Sequence, residues 1–409
     1  MDLAISTRDV KSYLSISVLS GGSLCESLHL KDSFVKMNWS NVSTSSDGGA
    51  IPANQFANLT AFDILYYTAP QVVMIDRVIT PFWYIIGFLG NPISARIWLS
   101  RKVCKSNSSA VYFGSLAVVE TVYLMLHVVY ELQNAWGINT FHTPVRCEIF
   151  NFLLITPQYM VPMLVLGFTT ERYIAVCHPF VMEKYCTVKR AVIVICCMGC
   201  ASVALGLIQV YVWSYSDMFG CVFREGAEIF QQAWTWFTEM LLFLILPVAC
   251  LLLNLLVIRE IKRLSMESAA HGQGTNPAST ITLLCVSFYF IFTLLPATIV
   301  YAMQQSVTQG DPSLPLEQWA SDPVWSSYFT YLTIRKIVEE ICLSNYATYF
   351  IIYYATGVYF RRSFRQMLCT PIKPNSRAKT SDFSVSLSNG KHTCAETVVL
   401  NDMESPSDT

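Results

Sequence analysis

The sequence predicts an all-α membrane protein: a seven-transmembrane helix bundle followed by a short amphipathic eighth helix. Of its 409 residues, 53% are hydrophobic and only 13% are charged, whereas soluble domains carry about 25% charged residues. Seven apolar stretches are each long enough to cross a bilayer. Basic residues gather in alternate connections between these stretches. Together these observations place most of the chain in lipid.

The seven stretches define the predicted domain organisation. They run over residues 76–98, 109–130, 147–174, 189–212, 231–258, 278–304 and 327–356. Short soluble core helices are the alternative, but a soluble core does not supply seven such stretches in one chain. We predict a glycosylated extracellular tail at residues 1–75, the bundle at 76–356, an amphipathic juxtamembrane helix at 357–369 and a disordered cytoplasmic tail at 370–409.

Basic residues predict the orientation, because Lys and Arg favour the cytoplasmic connections of membrane proteins. With the N-terminus outside, the outer connections hold little beyond Arg146 and Arg224. The inner segments hold Arg101, Lys102, Lys105, Lys184, Lys189, Arg190, Arg259, Lys262, Arg263, Arg361, Arg362, Arg365 and Lys373. Sequons at Asn38, Asn41 and Asn58 agree with a glycosylated tail outside the cell. We therefore expect a multi-pass plasma-membrane protein with a cytoplasmic C-terminus.

Cysteine positions and the lack of chemical motifs narrow the function. Of 14 cysteines, only Cys25, Cys147 and Cys221 fall on the predicted oxidising side. Cys147 and Cys221 are the obvious disulfide pair, and Cys25 is left over, either free or competing. No metal-site spacing and no nucleophile–base set occurs. We therefore expect no metal, no cofactor and no enzymatic activity, and the net charge of −1 gives no reason to expect a nucleic-acid partner.

Arg172 is the most informative single residue. It closes the third apolar stretch between Glu171 and Tyr173, and Cys147 lies 25 residues before it. About 25 helical residues rise some 37 Å, enough to cross about 30 Å of hydrocarbon. An arginine at the end of a span is costly without a partner, and Glu171 is the adjacent candidate. The run Glu-Arg-Tyr resembles the Asp/Glu-Arg-Tyr signature of rhodopsin-like (class A) G-protein-coupled receptors.

The resemblance extends to the second span, where Leu116-Ala117-Val118-Val119-Glu120 is similar to the family's Leu-Ala-x-x-Asp. The resemblance implies a sodium-binding acid that couples the ligand to activation. Glu120 is one methylene longer than the family's Asp, so a protonation or hydrogen-bond role stays open beside sodium binding. A purely structural carboxyl is the alternative.

Prolines and aromatic residues of the later spans carry the same resemblance. Pro247 lies in the fifth span, and Phe290 and Pro296 keep the family's Phe-x-x-Cys-Trp-x-Pro spacing in the sixth. In the seventh, Tyr353 matches the tyrosine of Asn-x-x-x-Asn-Pro-x-x-Tyr, although Tyr349-Phe350 replaces Asn-Pro. Proline bends a helix, and two bends suit an outward swing of the inner helix ends. Static kinks are the alternative.

Two residues outside the bundle have roles that the resemblance implies. Phe180 follows Pro179 in the second inner connection, where the family inserts a side chain into an apolar pocket of the heterotrimeric G protein; an interfacial aromatic is the alternative. Cys369 ends the amphipathic segment and is a candidate for palmitoylation, with a plain cytosolic thiol as the alternative. Phosphorylated hydroxyls of the tail would recruit arrestin.

Counting along each helix from its matched residue places a ligand pocket. Leu154 stands where amine receptors have Asp, and Leu343 where opsins have the retinal lysine, so amines and light are excluded. The carboxylates of Glu131, Glu239 and Glu339 in this pocket suit a cationic or amidated peptide, because a carboxylate can bind a guanidinium group through two parallel hydrogen bonds. Internal pairing of Glu339 or Glu340 with Arg335, Lys336 or Arg77 is the alternative. The predicted pocket residues are Tyr130, Glu131, Asn151, Leu154, Gln158, Glu239, Tyr301, Arg335 and Glu339.

The sequence thus predicts a G-protein-coupled receptor for a neuropeptide, with a pattern similar to invertebrate FMRFamide/myosuppressin-type receptors. Agonist binding would part the inner helix ends and free Arg172 from Glu171 for the G protein. A chemosensory receptor for a small molecule is the first alternative. A transporter or channel is the second, although such proteins show repeated halves or broken helices.

Overall fold

The computed structural model describes residues 61–369 apart from residues 106, 217–219, 271–277, 304–306, 309, 312–313 and 315. The predicted glycosylation sites Asn38, Asn41 and Asn58, the remaining cysteine Cys25 and the predicted cytoplasmic tail at 370–409 lie outside the described residues.

Each predicted span corresponds to one helical segment. Two of these segments are compound: α5 has three consecutive parts, the middle one a π-helix, and α7 has two. The bounds are α1 Pro70–Trp98; α2 Ser108–Asn134; α3 Arg146–Cys177; α4 Val188–Gly206; α5 Glu228–Thr238, Glu239–Ile245 and Leu246–Ala270; α6 Ala278–Met303; α7 Pro323–Ser344 and Tyr349–Thr356; and α8 Val358–Cys369.

Six of the described helices are long and apolar enough by themselves to cross a membrane, and they are α1 to α6. The longer half of α7 departs from this pattern because it carries Arg335, Lys336, Glu339 and Glu340. Charged side chains within a span normally face the protein interior or a watery cavity. The charges of α7 therefore indicate which of its faces packs against the bundle.

Helix α3 is the centre of the bundle, because it packs against α2, α4, α5 and α6. The positions of α3 that face the bundle interior are occupied by fully buried apolar side chains, such as Ile155, Leu164 and Phe168. Helix α1 packs against α2 and both halves of α7. A disulfide joins Cys147, at the start of α3, to Cys221. We refer to that end of the bundle as the disulfide end and to the opposite one as the Arg172 end.

Several short elements occur where the sequence predicted only connections or tail. At the disulfide end, β1 (Trp213–Ser216) and β2 (Gly220–Phe223) form an antiparallel hairpin. Gly220 has φ +72°, and a Cβ there would lie 2.8 Å from His142 Nδ1, so both backbone and space favour glycine. The remaining short helices are Ala61–Thr68, Arg101–Cys104, Pro179–Tyr185 and Leu316–Trp319. A further short helix, Ile208–Val212, follows α4 and lies within the predicted fourth span at 189–212.

A second apolar cluster covers one corner of the bundle beside α1 and α7. Trp319 and Trp325 stack with ring centroids 4.1 Å apart, and Leu65 from the Ala61–Thr68 helix packs in the same cluster. The Trp325 indole N–H donates to the carbonyl of Asp311 at 3.1 Å. This aromatic cap fixes the segment before α1, which the sequence placed in the tail at residues 1–75.

The break in α7 at residues 345–348 is matched by a close approach of α1. Asn91 donates through Nδ2 to the carbonyl of Tyr346 at 2.8 Å, so it satisfies a backbone group within the break. One residue earlier, a Cβ on Gly90 would lie 2.7 Å from Cβ of Phe350. The Gly-Asn pair of the first span therefore lets α1 reach the interrupted backbone of α7.

This contact predicts that Gly90→Ala weakens the fold. The added methyl group would overpack the α1–α7 contact, at a typical cost of about 1–3 kcal/mol. Thermal melting of the detergent-solubilised full chain should show a lower melting temperature. Gly199→Ala in α4 is the matched control, because its nearest neighbour would be Met160 Cε at an ordinary 3.7 Å. Equal melting temperatures for the two variants would contradict the assigned close approach.

Candidate functional site

The disulfide predicted between Cys147 and Cys221 is confirmed, with the two Cα atoms 5.4 Å apart. It ties the β-hairpin to the first turn of α3. Asn151 is held at the same place: its Nδ2 donates to the carbonyl of Cys147 at 2.9 Å and lies 3.3 Å from Sγ of Cys221. This predicted pocket residue thus orients the hairpin at the disulfide end.

The nine predicted pocket residues lie on α2, α3, α5, α6 and α7. All of them are buried except Tyr301 and Glu339, which are partly buried. They divide into a group on α3 and α5 and a group on α7 with its neighbours. In the first group, Leu154 and Gln158 are each 1% exposed on α3. Glu239 on α5 is also buried, at 3% exposed.

Glu239 begins the π-helical turn of α5. A π-helical turn adds a residue to the helix and re-aims the side chains around it, and it occurs frequently at functional sites. This segment packs against both α3 and α6, and the neighbouring Thr238 accepts a hydrogen bond from Tyr159 of α3 at 3.3 Å. The π turn therefore directs a carboxyl group into the interface of three helices, about two turns before Pro247.

The α7 group is organised by ion pairs. Arg335 Nε lies 2.7 Å from Oε1 of Glu339, and Lys336 Nζ lies 3.2 Å from Oε2 of the same carboxylate. The guanidinium of Arg335 also lies over the ring of Tyr301, 5.3 Å from its centroid. Internal pairing, the alternative to ligand binding considered above for Glu339, is therefore what the geometry shows.

The same network joins α7 to α1. Lys336 Nζ lies 3.0 Å from Oδ2 of Asp76, and the hydroxyl of Thr80 donates to Glu340 Oε1 at 2.5 Å. Asp76 was not among the predicted site residues, and Glu340 was weighed only as a partner of nearby cations. The sequence did contain an indication of this pair. Asp76 stands at the start of the first predicted span and Lys336 lies inside the seventh, and neither charge is stable in a span without a partner.

Glu120, the predicted coupling acid of α2, lies fully within the bundle. It is 1% exposed, and within the described residues its Oε1 has no hydrogen-bond partner. Its carboxyl interacts electrostatically with the hydroxyls of Tyr349 and Tyr353 on the short half of α7. Tyr349 in turn donates to Asn345 inside the break. Glu120 therefore faces the interrupted part of α7.

Tyr353 lies in an aromatic cluster that joins four helices. Its ring centroid is 5.5 Å from that of Trp98, 4.9 Å from that of Phe113 and 5.6 Å from that of Phe360. These partners belong to α1, α2 and α8. In the part of the chain that the structure describes, the hydroxyl of Tyr353 is buried without a hydrogen-bond partner. The ring of the predicted switch tyrosine is thus held by aromatic packing, and its hydroxyl faces Glu120.

Both charged residues of the Glu-Arg-Tyr run are bound by serines of α2. Ser108 donates to Oε2 of Glu171 at 2.7 Å, and Arg172 Nη2 donates to Oγ of Ser109 at 3.1 Å. Within the described residues, Glu171 and Arg172 form no ion pair with each other. The serines stand in the first turn of α2, where Asn107 Oδ1 caps the helix by accepting from Ser109 N at 3.1 Å.

The other predicted coupling residues lie around this end and the middle of the bundle. Phe180, on the helix Pro179–Tyr185, is 99% exposed. Phe290 is fully buried on α6, which contains Pro296. Cys369, predicted as a palmitoylation site and not as a coupling residue, is exposed at the last residue of α8. Tyr173 packs on His178, with ring centroids 5.4 Å apart.

Comparison with known proteins agrees with this arrangement. Residues 94–333 match the model of the 7 transmembrane receptor (rhodopsin family). The chain is 26% identical to rat neurotensin receptor type 1 over 144 residues, 34% of this chain and 33% of that receptor. It is 25% identical to the pyrokinin-1 receptor of Drosophila melanogaster over 158 residues, 38% and 35% of the two chains. It is 28% identical to human neuromedin-U receptor 2 over 109 residues, 26% of each.

The network of α7 yields a prediction about stability. Asp76→Ala leaves Lys336 with one carboxylate partner in place of two, and breaking a buried ion pair typically costs about 3–5 kcal/mol. The melting temperature of the solubilised chain should fall clearly. Glu267→Ala removes a pair with Arg263 whose side chains are both 58% exposed, so it should leave the melting temperature nearly unchanged. A similar loss in both variants would contradict the assigned burial.

Proposed function

Because the chain belongs to the rhodopsin family of seven-transmembrane receptors, we propose that it transmits the binding of a peptide outside the cell to a heterotrimeric G protein inside. The family match covers residues 94–333 and includes the Glu-Arg-Tyr run. The chain spans about a quarter to a third of the length of the curated relatives it matches, so the ligand class is inferred from the site. The neurotensin, pyrokinin and neuromedin-U receptors among its relatives favour a peptide over a small odorant or a transported solute.

The proposed orientation places the disulfide end outside and the Arg172 end inside. Two observations support it. Disulfides form in oxidising compartments, and the bond between Cys147 and Cys221 lies at one end of α3. The basic residues gather on the other side, as in cytoplasmic connections. This orientation places the sequons Asn38, Asn41 and Asn58 outside and Cys369, the proposed palmitoylation site, inside.

The proposed ligand is a cationic or amidated peptide that enters at the disulfide end. Glu339 is ion-paired with Arg335. We therefore assign Glu239 as the carboxylate that contacts the positively charged group of the ligand. Its buried position on the π turn puts it at the interface of α3, α5 and α6. A charged hydrogen bond formed away from water is stronger than one on the surface. Tyr130, Glu131, Asn151, Leu154, Gln158 and Tyr301 complete the proposed lining.

The proposed activation step is a population shift between two packings of the inner helix ends. In the packing described here, Ser109 engages Arg172 and Ser108 engages Glu171. Movement of α5 and α6 about Pro247 and Pro296, with repacking of Phe290 and Tyr353, would open the Arg172 end. Arg172 would then exchange Ser109 for the G protein, and the exposed Phe180 would enter an apolar pocket of that partner. Arrestin binding to the tail is part of the same proposal.

Arg172→Ala tests the receptor mechanism. The variant should reach the cell surface and lose second-messenger signalling, because it lacks the side chain assigned to the G protein. An N-terminal epitope stained on intact cells measures surface expression and the orientation together. Arg224→Ala, at the hairpin end, is the control and should keep signalling. Normal signalling by Arg172→Ala, or an epitope accessible only after permeabilisation, would contradict the proposal.

Glu239→Gln tests the ligand assignment. Amidated peptides with and without an arginine would be screened on cells that express the chain and a promiscuous G protein. Loss of one charge-assisted contact, worth about 1.5–3 kcal/mol, should raise the half-maximal concentration of a cationic agonist about 10- to 100-fold. Glu225→Gln, an exposed acid after the hairpin, should leave it unchanged. Equal potency on wild type and Glu239→Gln would exclude Glu239 as the ligand's counter-charge.

A further inference from the structure

The buried network of α1, α2 and α7 contains more carboxyl groups than cations. Four acids, Asp76, Glu131, Glu339 and Glu340, face two cations, Arg335 and Lys336. The titratable and charged groups that lie against one another are Asp76 and Tyr84 on α1; His127, Tyr130 and Glu131 on α2; Tyr301 on α6; and Tyr331, Arg335, Lys336, Glu339 and Glu340 on α7. Full ionisation would leave two uncompensated negative charges away from water, which is strongly unfavourable.

Two of the four acids have cations beside them. Glu339 lies 2.7 Å from Arg335 and 3.2 Å from Lys336, and Asp76 lies 3.0 Å from the same lysine. Opposite charges at these distances favour the ionised carboxylate. Asp76 and Glu339 are therefore the ionised members of the network, and together they balance the two cations.

Glu131 and Glu340 lack such partners. They are 6% and 5% exposed, and within the described residues neither forms an ion pair. Oε2 of each is buried without a hydrogen-bond partner there, while Glu340 Oε1 accepts from Thr80 at 2.5 Å. An ionised carboxylate in this position would keep a buried lone-pair oxygen with nothing to neutralise it.

Within the described residues, no other cation lies within ion-pair distance of Glu131 or Glu340. The described residues also contain no group of three or more His, Cys, Asp or Glu residues arranged to hold a metal ion. Arg77 is engaged elsewhere, since its Nε donates to the carbonyl of Ala135 at 2.9 Å and its guanidinium lies over Trp136, 5.0 Å from the ring centroid. His127 Nδ1 bonds to the hydroxyl of Tyr84 at 2.8 Å. The proton is the remaining counter-charge.

We propose that Glu131 and Glu340 form a proton-binding site, in which each carboxyl carries a proton while α1, α2 and α7 keep the packing described here. Loss of either proton adds an uncompensated charge inside the network, so this packing weakens as pH rises through the titration of the site. Proton binding is then linked to any rearrangement of α7. A protonated Glu131 would offer a ligand a hydrogen-bond donor instead of a negative charge.

Two adjacent acids of α7 provide the test, because Glu339 has cations and Glu340 has none. The melting temperature of the purified full chain in detergent micelles would be measured from about pH 6 to about pH 9. The wild-type melting temperature should fall by several degrees as pH rises. Glutamine imitates a protonated carboxyl group, so Glu340→Gln should reduce this fall, and Glu131→Gln/Glu340→Gln should nearly abolish it. Glu339→Gln should lower the melting temperature at every pH, because Arg335 and Lys336 lose a carboxylate. Glu225→Gln, which changes an exposed acid outside the network, is the control and should keep the full pH dependence.

Infrared spectroscopy gives an independent readout of the same carboxyl groups. The absorption of protonated carboxylic acids at neutral pH should be weaker in Glu131→Gln and in Glu340→Gln than in wild type, and unchanged in Glu225→Gln. A pH-independent wild-type melting temperature would overturn the proposal without any variant. So would a protonated-acid band that is as strong in Glu131→Gln/Glu340→Gln as in wild type.

Discussion

The attraction between Lys336 and its two carboxylates, Asp76 and Glu339, is the constraint on which the bundle depends. Lipid offers neither water nor counter-ions to a charge inside a span, so the ammonium group must be neutralised by the protein. That need fixes the rotation of the long half of α7 and draws the part of α1 around Asp76 against it. The aromatic cap then covers the same corner with apolar side chains from both helices. Helix α7, the least apolar span, is thereby held in the bundle by ion pairs, whereas the other spans are held by apolar packing.

The charge pairing also decides which acids remain for a ligand. Glu339 is neutralised by Arg335 and Lys336 within α7. Glu131 belongs to the same network, in which the two cations are already balanced by two ionised carboxylates. Glu239 lies apart from these groups, on the π turn of α5. The three acids that the sequence assigned to one cavity thus differ in their electrostatic surroundings. In the proposed function, recognition of a cationic ligand and stabilisation of the helix bundle are therefore assigned to different carboxyl groups.

Much of this arrangement can be predicted from the sequence. The number of spans, the disulfide and the positions of the helix-bending prolines depend only on composition and on the order of residues along the chain. Contacts between distant helices do not follow, because a span that is apolar on most faces gives little information about its rotation. Thr80 and Glu340, for example, are 260 positions apart. The serine contacts of Glu171 and Arg172 were missed for the same reason, since adjacent opposite charges suggested a direct pair. The likeness to FMRFamide/myosuppressin-type receptors stays a prediction.

The interruption of α7 has a mechanical consequence. A continuous helix resists bending because each bend strains bonds between residues four apart. At residues 345–347 the backbone N–H groups instead bond three residues back, to Cys342, Leu343 and Ser344. The long half is fastened to α1 by charge, and the short half carries the tyrosines that face Glu120. The four residues between them therefore act as a hinge, about which the short half can rotate without disrupting a regular helical ladder.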